Sequence, residues 1–174
     1  MVKPRSIFRL RIKEPHHEPS QTDPEGWNTL TPHVICVGAT HAIGSDARAF
    51  GAIESNRLDG PDRKFVNAAL RIGDSVVMLV NEVPEWKCFG PKTLKGSPVT
   101  LHLYVPDVDA SFAQAATAGA TVPMPITDMF WGDRYGQVQD FFGHNGSIAT
   151  HTRDLTDAQI AEEMMKTAPG RGCA

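Results

Sequence analysis

The first half of the chain has a hydrophobic pattern that predicts one strand, one helix and three more strands. The stretch TLTPHVICVG is short and rich in β-branched residues, which is typical of a strand. The stretch ATHAIGSDARAFGA places Ile43, Ala47 and Phe50 on one side of a helix, and Gly51 would end that helix. Three strand-like stretches follow, AIESNRL, KFVNAALRI and SVVMLV, separated by turn residues at DGPD and GD. We therefore predict a β-α-β-β-β module.

The second half of the chain repeats this order. SPVTLHLYV predicts a strand, Asp107 can cap a helix with Val108 and Phe112 on its apolar side, and TVPMPI, YGQVQDF and GSIATHT predict three further strands. Corresponding positions lie 68 to 70 residues apart, namely Gly51 and Gly119, His33 and His102, and Gly73 and Gly143. Because self-similarity at a fixed spacing marks a structural repeat, we predict two modules in tandem.

The pattern divides the chain into an N-terminal arm, a domain of two modules and a C-terminal helix with a tail. The bounds are 1–29 for the arm, 30–153 for the domain, 30–83 and 98–153 for its modules, and 154–174 for the helix and tail. Thr156 and Gln159 have the spacing of a helix capping box. We expect this helix to pack on its own sheet through Met164 and Met165, and a docking surface for another molecule is the alternative.

Composition and charge narrow the classes of function. The chain has 174 residues with a net charge of −3, and its lysines and arginines are scattered, so we expect no nucleic-acid partner. No apolar run reaches the roughly 18 residues of a membrane span, and the N-terminus lacks the apolar stretch of a signal peptide. The three cysteines have no CxxC spacing, so reduced thiols are expected. These features predict a cytoplasmic protein that does not bind membranes.

Several motifs resemble one family in their order and spacing. They are TPHVICVGATHAI, AFGA, LRIGDSVVMLV, GSPVTLHLYVPDVDASF, AGATVPMPITDMFWGDRYGQVQDFFGH and SIATH, which together run from residue 31 to residue 151. These motifs resemble those of the PhnB-like branch of the vicinal oxygen chelate superfamily. This superfamily includes glyoxalases, bleomycin-resistance proteins and extradiol dioxygenases. The resemblance implies an α+β fold in which two tandem βαβββ modules form a cup-shaped mixed sheet around a small-molecule cavity. It also implies a homodimer.

The resemblance further implies four strand positions that carry metal ligands in metal-dependent members. In this chain those positions fall on Thr31, Met78, Thr100 and Ser147. Hydroxyl and thioether groups do not make a site for a hard or borderline divalent ion. We therefore predict no metal cofactor and expect Met78, Thr100 and Ser147 to contact substrate instead. Asn67 would face the same cavity as a hydrogen-bond donor and acceptor, or would be a strand-edge amide.

His33 and His102 are the candidate catalytic residues. Each follows a vacant ligand position by two residues, and residues i and i+2 of a strand share one face. Both imidazoles could therefore face the cavity and exchange protons near neutral pH. Two alternatives remain open, in which the histidines are satisfied core residues or anchor a metal with relocated ligands.

The segment DMFWGDRYG is the most specific part of the resemblance. Its functional interpretation gives Phe130, Trp131 and Tyr135 to an aromatic wall and Arg134 to an anionic or carbonyl group of the ligand. Its structural interpretation pairs Arg134 with Asp128 or Asp133 and buries the aromatics under a turn. The branch also has large side chains where this chain has small ones, which predicts a wider pocket; these positions are Ser45, Asp46, Asn145 and Gly146.

Three hypotheses for function follow. The first is a PhnB-like protein that binds a small organic molecule and transforms it as a metal-independent isomerase or lyase. The second is a non-enzymatic binding protein of the antibiotic-sequestering kind. The third is a lyase or dioxygenase dependent on a divalent metal with relocated ligands.

Overall fold

The computed structural model describes residues 24, 26–60 and 65–166 and contains the two predicted modules. Most of the predicted N-terminal arm, the tail after residue 166 and part of the DGPD turn lie outside the described residues. The first module consists of β1 His33–Cys36, α1 Ala39–Phe50, β2 Ile53–Asp59, β3 Phe65–Ile72 and β4 Ser75–Asn81. After α2 Pro91–Leu94, the second module consists of β5 Thr100–Tyr104, α3 Val108–Thr117, β6 Thr121–Asp128, β7 Asp133–Gln139 and β8 Asn145–His151.

Each module forms its own four-stranded mixed sheet. The strand orders are β1-β4-β3-β2 and β5-β8-β7-β6. In both sheets the first strand pairs in parallel with the last, and the other pairs are antiparallel. The predicted fold class, an α+β protein built from two βαβββ modules, is therefore confirmed.

The buried side of α1 agrees with the prediction in part. Ile43 and Phe50 are partly buried against the two cores, as predicted, whereas Ala47 is exposed. The fully buried residues are Ala39, Ala42 and Ala49, which the pattern did not single out because a run of alanines gives a weak apolar signal. Their small side chains let the helix approach both the sheet and α3. The two helices are also joined by a hydrogen bond from Gln114 Nε2 to the carbonyl oxygen of Arg48, at 2.8 Å.

Helix α3 follows the prediction closely. Asp107 Oδ1 accepts a hydrogen bond from the amide of Ala110 at 2.9 Å, as an N-cap should. Val108, Phe112 and Ala115 form the buried side. This side packs on Val138 and Ile148 of the second sheet, so the opposite face of that sheet is left for other contacts.

Each core includes a side chain from the other module. Phe142, which follows β7, lies in the core of the first module with Leu70 and Leu79. Ala49 of α1 lies in the core of the second module. The modules are therefore packed along one seam on the helix side of both sheets.

The predicted linker between the modules is partly ordered. It contains a 3-10 turn at Pro84–Trp86 and the single turn of α2. The Glu82 carboxylate holds this segment, because it accepts hydrogen bonds from the amide of Gly90 at 2.6 Å and the hydroxyl of Thr93 at 2.9 Å.

The C-terminal helix α4, Asp157–Lys166, has the predicted capping box but not the predicted packing. Gln159 Oε1 accepts a hydrogen bond from the amide of Thr156 at 2.8 Å. No residue of α4 is buried, and Met164 and Met165 are 59% and 86% exposed. The expected packing on the sheet is therefore wrong. The helix is instead supported by its own ion pairs between Lys166 and two glutamates.

The outer strand of the second sheet, β6, contains Pro123 and Pro125 and pairs irregularly with β7. Proline has no amide hydrogen, so this edge cannot offer a full row of donors to another strand.

Across the described residues, no helix is both long enough and apolar enough to cross a membrane.

Candidate functional site

The inner face of the second sheet, opposite α3, carries a group of aromatic rings. His102 and Tyr104 project from β5 and Tyr135 from β7, and Trp131 lies in the turn before β7. The strand register places His102 beside Ser147 and places Tyr104 and Tyr135 on either side of Ala149. Leu101 and Leu103, at the alternate positions of β5, face the helix side. We call the rings of His102, Tyr104, Trp131 and Tyr135 the aromatic face.

Small side chains on β8 form the floor beneath the aromatic face. Ser147 and Ala149 are 2% and 0% exposed, and larger rings flank them on both neighbouring strands. The Ser147 hydroxyl lies 2.7 Å from Nδ1 of His102, so it fixes the orientation of the imidazole. A small residue in the central column of the sheet is what allows the flanking rings to approach one another.

The rings contact one another at different angles. The His102 and Tyr104 rings meet edge to face with centroids 4.6 Å apart, and the His102 and Tyr135 rings are nearly parallel at 5.9 Å. Trp131 meets Tyr135 at 5.7 Å and Phe130 at 4.9 Å, both edge to face. Tyr104 is 63% exposed, so this group presents ring surface to solvent rather than filling a core. Of the predicted aromatic residues of DMFWGDRYG, Tyr135 contacts His102, Trp131 contacts Tyr135, and Phe130 contacts only Trp131.

A buried carboxylate anchors one end of the aromatic face. Asp133 is 4% exposed, and its Oδ2 accepts hydrogen bonds from the Tyr104 hydroxyl and the Trp131 indole nitrogen, each at 3.0 Å. Its Oδ1 lies 2.7 Å from Nδ1 of His151, whose Nε2 lies 3.1 Å from Asp154. One carboxylate therefore orients two of the four rings.

The protonation of this cluster follows from the same contacts. Burial disfavours the charged form of Asp133, but hydrogen bonds from His151, Tyr104 and Trp131 outweigh it and lower the pKa of the carboxyl. Hydrogen bonds to Asp133 and Asp154 raise the pKa of His151. The hydrogen bond to Asp133 also raises the pKa of Tyr104, which keeps its hydroxyl protonated.

Arg134 lies on the opposite face of the second sheet from Tyr135. Its guanidinium forms two hydrogen bonds with the Asp109 carboxylate of α3, at 2.7 and 2.8 Å, and one with Asp128 at 3.3 Å. These contacts raise the pKa of Arg134 still further above its usual range. The contacts of this arginine therefore match the structural interpretation. Its main partner is Asp109, which that interpretation did not name, and of the two predicted partners only Asp128 is in contact.

The other predicted site residues lie on the first sheet or at the end of β5. His33 is beside Met78 and Asn67 is beside Val80, which puts all three predicted residues on the inner face of the first sheet. Thr100 is exposed and lies on the same face of β5 as His102, two residues before it. Within the described residues, no hydrogen bond or ring contact joins His33 to His102.

His33 borders a separate cleft of about 300 Å³. This cleft lies between β1, the segment that links the modules and the turn before β8. The structure therefore groups His102, Trp131, Tyr135 and Ser147, and it places His33, Asn67 and Met78 elsewhere.

The donor groups on the inner faces do not fit a divalent metal ion. The described residues contain no group of three or more His, Cys, Asp or Glu side chains placed to hold one. The nearest polar neighbour of His102 is a serine hydroxyl, and the neighbour of His33 in the register is a methionine. Thr31 lies before β1 and donates its hydroxyl hydrogen to the carbonyl oxygen of Asn28 at 2.8 Å.

Three of the four residues that were expected to widen the ligand pocket border a different cavity, which lies between the modules. Asp46, Asn145 and Gly146 line a space of about 60 Å³ between the modules, on the helix side of the sheets. A cavity of this size is smaller than the few hundred Å³ of a typical organic-ligand pocket. The substitutions therefore do not enlarge the aromatic face.

Sequence reasoning missed Tyr104, His151 and the central part played by Asp133. Tyr104 had a usable signal, because it follows His102 by two residues on a strand and must share its face. For Asp133 and His151, the sequence of their own strands contains no signal that predicts their contact. They meet because β7 and β8 are neighbours and the register places one opposite the other.

Comparison with known proteins agrees with this architecture. The model of the Glyoxalase/Bleomycin resistance protein/Dioxygenase superfamily matches residues 47–146, which is more than half of the chain. The uncharacterized protein Rv0887c of Mycobacterium tuberculosis is 44% identical over 144 residues, covering 81% of this chain and 85% of that protein.

Two solved structures show the same fold at low sequence identity. TioX from Micromonospora sp. ML1 is 22% identical with a TM-score of 0.56, over 74% of this chain and all of that one. A PhnB protein of Bacillus cereus is 13% identical with a TM-score of 0.56, over 71% of this chain and 99% of that one. This chain belongs to the Glyoxalase/Bleomycin resistance protein/Dioxygenase superfamily.

Proposed function

We propose that this protein is a PhnB-like member of the superfamily that binds a small planar organic molecule against the aromatic face. The observation that carries the proposal is the convergence of four rings from two strands and a turn over a floor of small buried side chains. Ring faces that are open to solvent favour stacking with a flat, apolar ligand. Ligand sites commonly combine such apolar surface with a few oriented polar groups.

The polar groups around the rings suggest how a ligand would be oriented. Ser147 engages Nδ1 of His102, which leaves the other ring nitrogen to meet a ligand atom. The Tyr104 hydroxyl donates to Asp133, so its oxygen can still accept a hydrogen bond. Gln137 donates to the Tyr135 hydroxyl at 3.0 Å and fixes that ring in turn. We infer a ligand that carries at least one hydrogen-bond donor beside its planar part.

A catalytic function is the second candidate, and the contact between Ser147 and His102 favours it. A hydroxyl that holds one imidazole nitrogen orients the other for proton transfer. In this proposal the protein is a metal-independent isomerase or lyase in which His102 is the acid–base residue, acting without His33 because the two do not meet. A protein that only sequesters its ligand would bind it in the same way as this isomerase or lyase, but it would form no product.

We also propose that the protein is a homodimer. Leu58 on the inner face of the first sheet is 56% exposed, and a second copy could cover it. Sedimentation equilibrium measures this directly. A single species with the mass of one chain at micromolar concentration would contradict the proposal.

The binding proposal is tested by titrating planar heteroaromatic compounds, with quinoline, indole, flavin and phenol types in one panel, and measuring affinity by calorimetry. Tyr135→Ala should weaken the affinity of any compound that binds by about fivefold, since one stacking contact contributes about 1 kcal/mol. Trp86→Phe is the matched control because Trp86 is 77% exposed in the linking segment, away from these rings. Equal affinities in wild type, Tyr135→Ala and Trp131→Phe would contradict the proposal.

The catalytic candidate needs a different measurement. A compound that binds is incubated with the protein and the mixture is analysed by mass spectrometry and NMR, so that an isomer or an elimination product is detected. Product that is formed by wild type and lost in His102→Gln, with binding retained, would support the isomerase or lyase. Binding without product would leave sequestration.

A further inference from the structure

The cavity between the modules includes polar groups that the proposed function does not use. Most of its wall is apolar, and it includes Val34 and Leu79 of the first module and Leu101 of the second. Three titratable side chains also line it, Asp46 from α1 and Asp140 and His144 from the turn before β8. A space of about 60 Å³ can hold several water molecules if polar partners are present.

His144 ties the second module to the first. Its Nε2 lies 3.0 Å from the carbonyl oxygen of Ile35 on β1, and its Nδ1 lies 2.8 Å from Oδ2 of Asp140. A carbonyl oxygen can only accept, so Nε2 must carry a hydrogen. The Asp140 Oδ1 accepts hydrogen bonds from the amides of Phe142 and His144, at 2.8 and 2.7 Å. His144 therefore donates from both nitrogens and is an imidazolium ion.

Asp46 faces this ion pair without a partner of its own. Among the described residues, no group donates a hydrogen bond to the Asp46 carboxylate. Burial and the Asp140 charge raise the pKa of Asp46 to about 7, while His144 acts in the opposite direction. The pKa of His144 is also raised, since its contacts with Asp140 outweigh the effect of burial.

Among the described residues, the thiol of Cys36 and the carboxylate of Glu82 belong to the same charged surroundings. The Cys36 thiol of β1 has its pKa raised to about 12 by burial and by the charges of Asp140, Asp46 and Glu82, so it stays neutral. The cavity thus holds one cation and one anion when Asp46 is protonated. It holds one cation and two anions when Asp46 is ionised.

We propose that Asp46, Asp140 and His144 form a proton-controlled latch between the modules, which is tight while Asp46 carries a proton and loosens when it ionises. The ion pair of His144 fastens the turn before β8 to β1, and the unpartnered carboxylate of α1 controls the charge that surrounds that pair. The contact between α1 and this turn is the part of the seam that weakens.

The sign of the pH dependence follows from proton binding. The folded state keeps the Asp46 proton up to about pH 7, whereas an unfolded chain releases it near pH 4. Between these limits each pH unit raises the unfolding constant by up to about tenfold, and above pH 7 the effect is constant. Other acidic groups change the unfolding constant with pH in the opposite direction. Wild type must therefore be compared with a variant that lacks only the Asp46 carboxyl group.

The test is urea unfolding of wild type and Asp46→Asn at pH 5, 6, 7 and 8. The ratio of the wild-type unfolding constant to that of the variant should rise between pH 5 and pH 7, by at least tenfold and at most about a hundredfold, and then level off. Glu54→Gln is the control for removal of a surface charge, because Glu54 is an exposed acid of the same module, and the change for Asp46→Asn is compared with it at each pH. A ratio for Asp46→Asn that is constant with pH would overturn the proposal.

A measurement on wild-type protein keeps the proposal falsifiable if Asp46→Asn does not fold. The carboxyl carbon of Asp46 is followed by NMR through a pH titration, and we expect a midpoint above pH 6. The same titration in Asp140→Asn should give a lower midpoint, because the charge from the second module is gone. A wild-type midpoint near pH 4, or one that Asp140→Asn leaves unchanged, would contradict a latch between the modules.

Discussion

Gly136, in the middle of β7, lies against the ring of Phe112 from α3. A Cβ added there would be 2.6 Å from Cε2 of Phe112 and 3.2 Å from Cγ1 of Ile126. Phe112 is only 9% exposed in a core with Val108 and Val138, so its ring has little room to move. We predict that Gly136→Ala destabilises the protein although alanine is the better residue for a strand.

The magnitude follows from two opposing effects. Overpacking a filled core costs about 1–3 kcal/mol. Replacing glycine reduces the entropy of the unfolded chain and returns about 0.4–1 kcal/mol. The net loss should be about 1–2 kcal/mol in the free energy of unfolding.

The assay is urea denaturation followed by far-UV circular dichroism, with the midpoint compared at constant slope. Gly96→Ala is the matched control because a Cβ there meets nothing within 4 Å, and we expect no loss of stability. Phe112→Leu combined with Gly136→Ala should cost less than the sum of the two single changes, since the smaller side chain makes room for the methyl group. A Gly136→Ala protein as stable as Gly96→Ala would refute the reasoning.

Three further predictions concern the turn, the buried carboxylate and the buried thiol. Gly132→Ala should cost more than 2 kcal/mol of thermal stability, measured by calorimetry, because Gly132 has a φ of +101° and an added Cβ would lie against the carbonyl oxygen of Arg153. Asp133→Ala should lower the free energy of unfolding by about 2–4 kcal/mol at pH 7, since three donors lose a buried acceptor. This loss should become smaller below about pH 4, where the carboxyl of the unfolded chain takes up its proton. An unchanged urea midpoint at pH 7 would contradict the hydrogen bonds. Cys36, with its pKa raised to about 12, should resist iodoacetamide at pH 8 in the native protein and react in 6 M urea, and mass spectrometry of the labelled peptides checks this.

The fold could be predicted from the sequence because its signals are local. Glycines bound the helices, Asp107 caps α3, and the repeat of 68 to 70 residues indicates two copies of one module. The weak point was α1, where alanines at 39, 42, 47 and 49 give no clear apolar side. The packing of α4 was also mispredicted, because an amphipathic pattern shows that a helix can be buried but not whether a partner surface is present.

The candidate site could be predicted only in part. Trp131, Tyr135 and Ser147 were named from the resemblance, and His102 was named from its place on the strand two residues after a vacant ligand position. The structure brings these four residues together. The pairing of His33 with His102 rested on matched positions in the repeat, but a repeat fixes corresponding places in two sheets and not their proximity. The contacts of Asp133 with Tyr104 and His151 depend on which strands are neighbours, and no single strand pattern contains that information.

The parallel pairing of the first and last strands in each module has a consequence for the order of folding. Met78 follows its partner His33 by 45 residues, and Asn145 follows Thr100 by the same number, whereas the hairpins between them need only short loops. Closing the longer loop costs more chain entropy, so β1 and β5 should join their sheets last and leave them first. Because β5 carries His102 and Tyr104, the aromatic face would then be assembled in the final step of folding and lost in the first step of unfolding, while the hairpins of the same module are still intact.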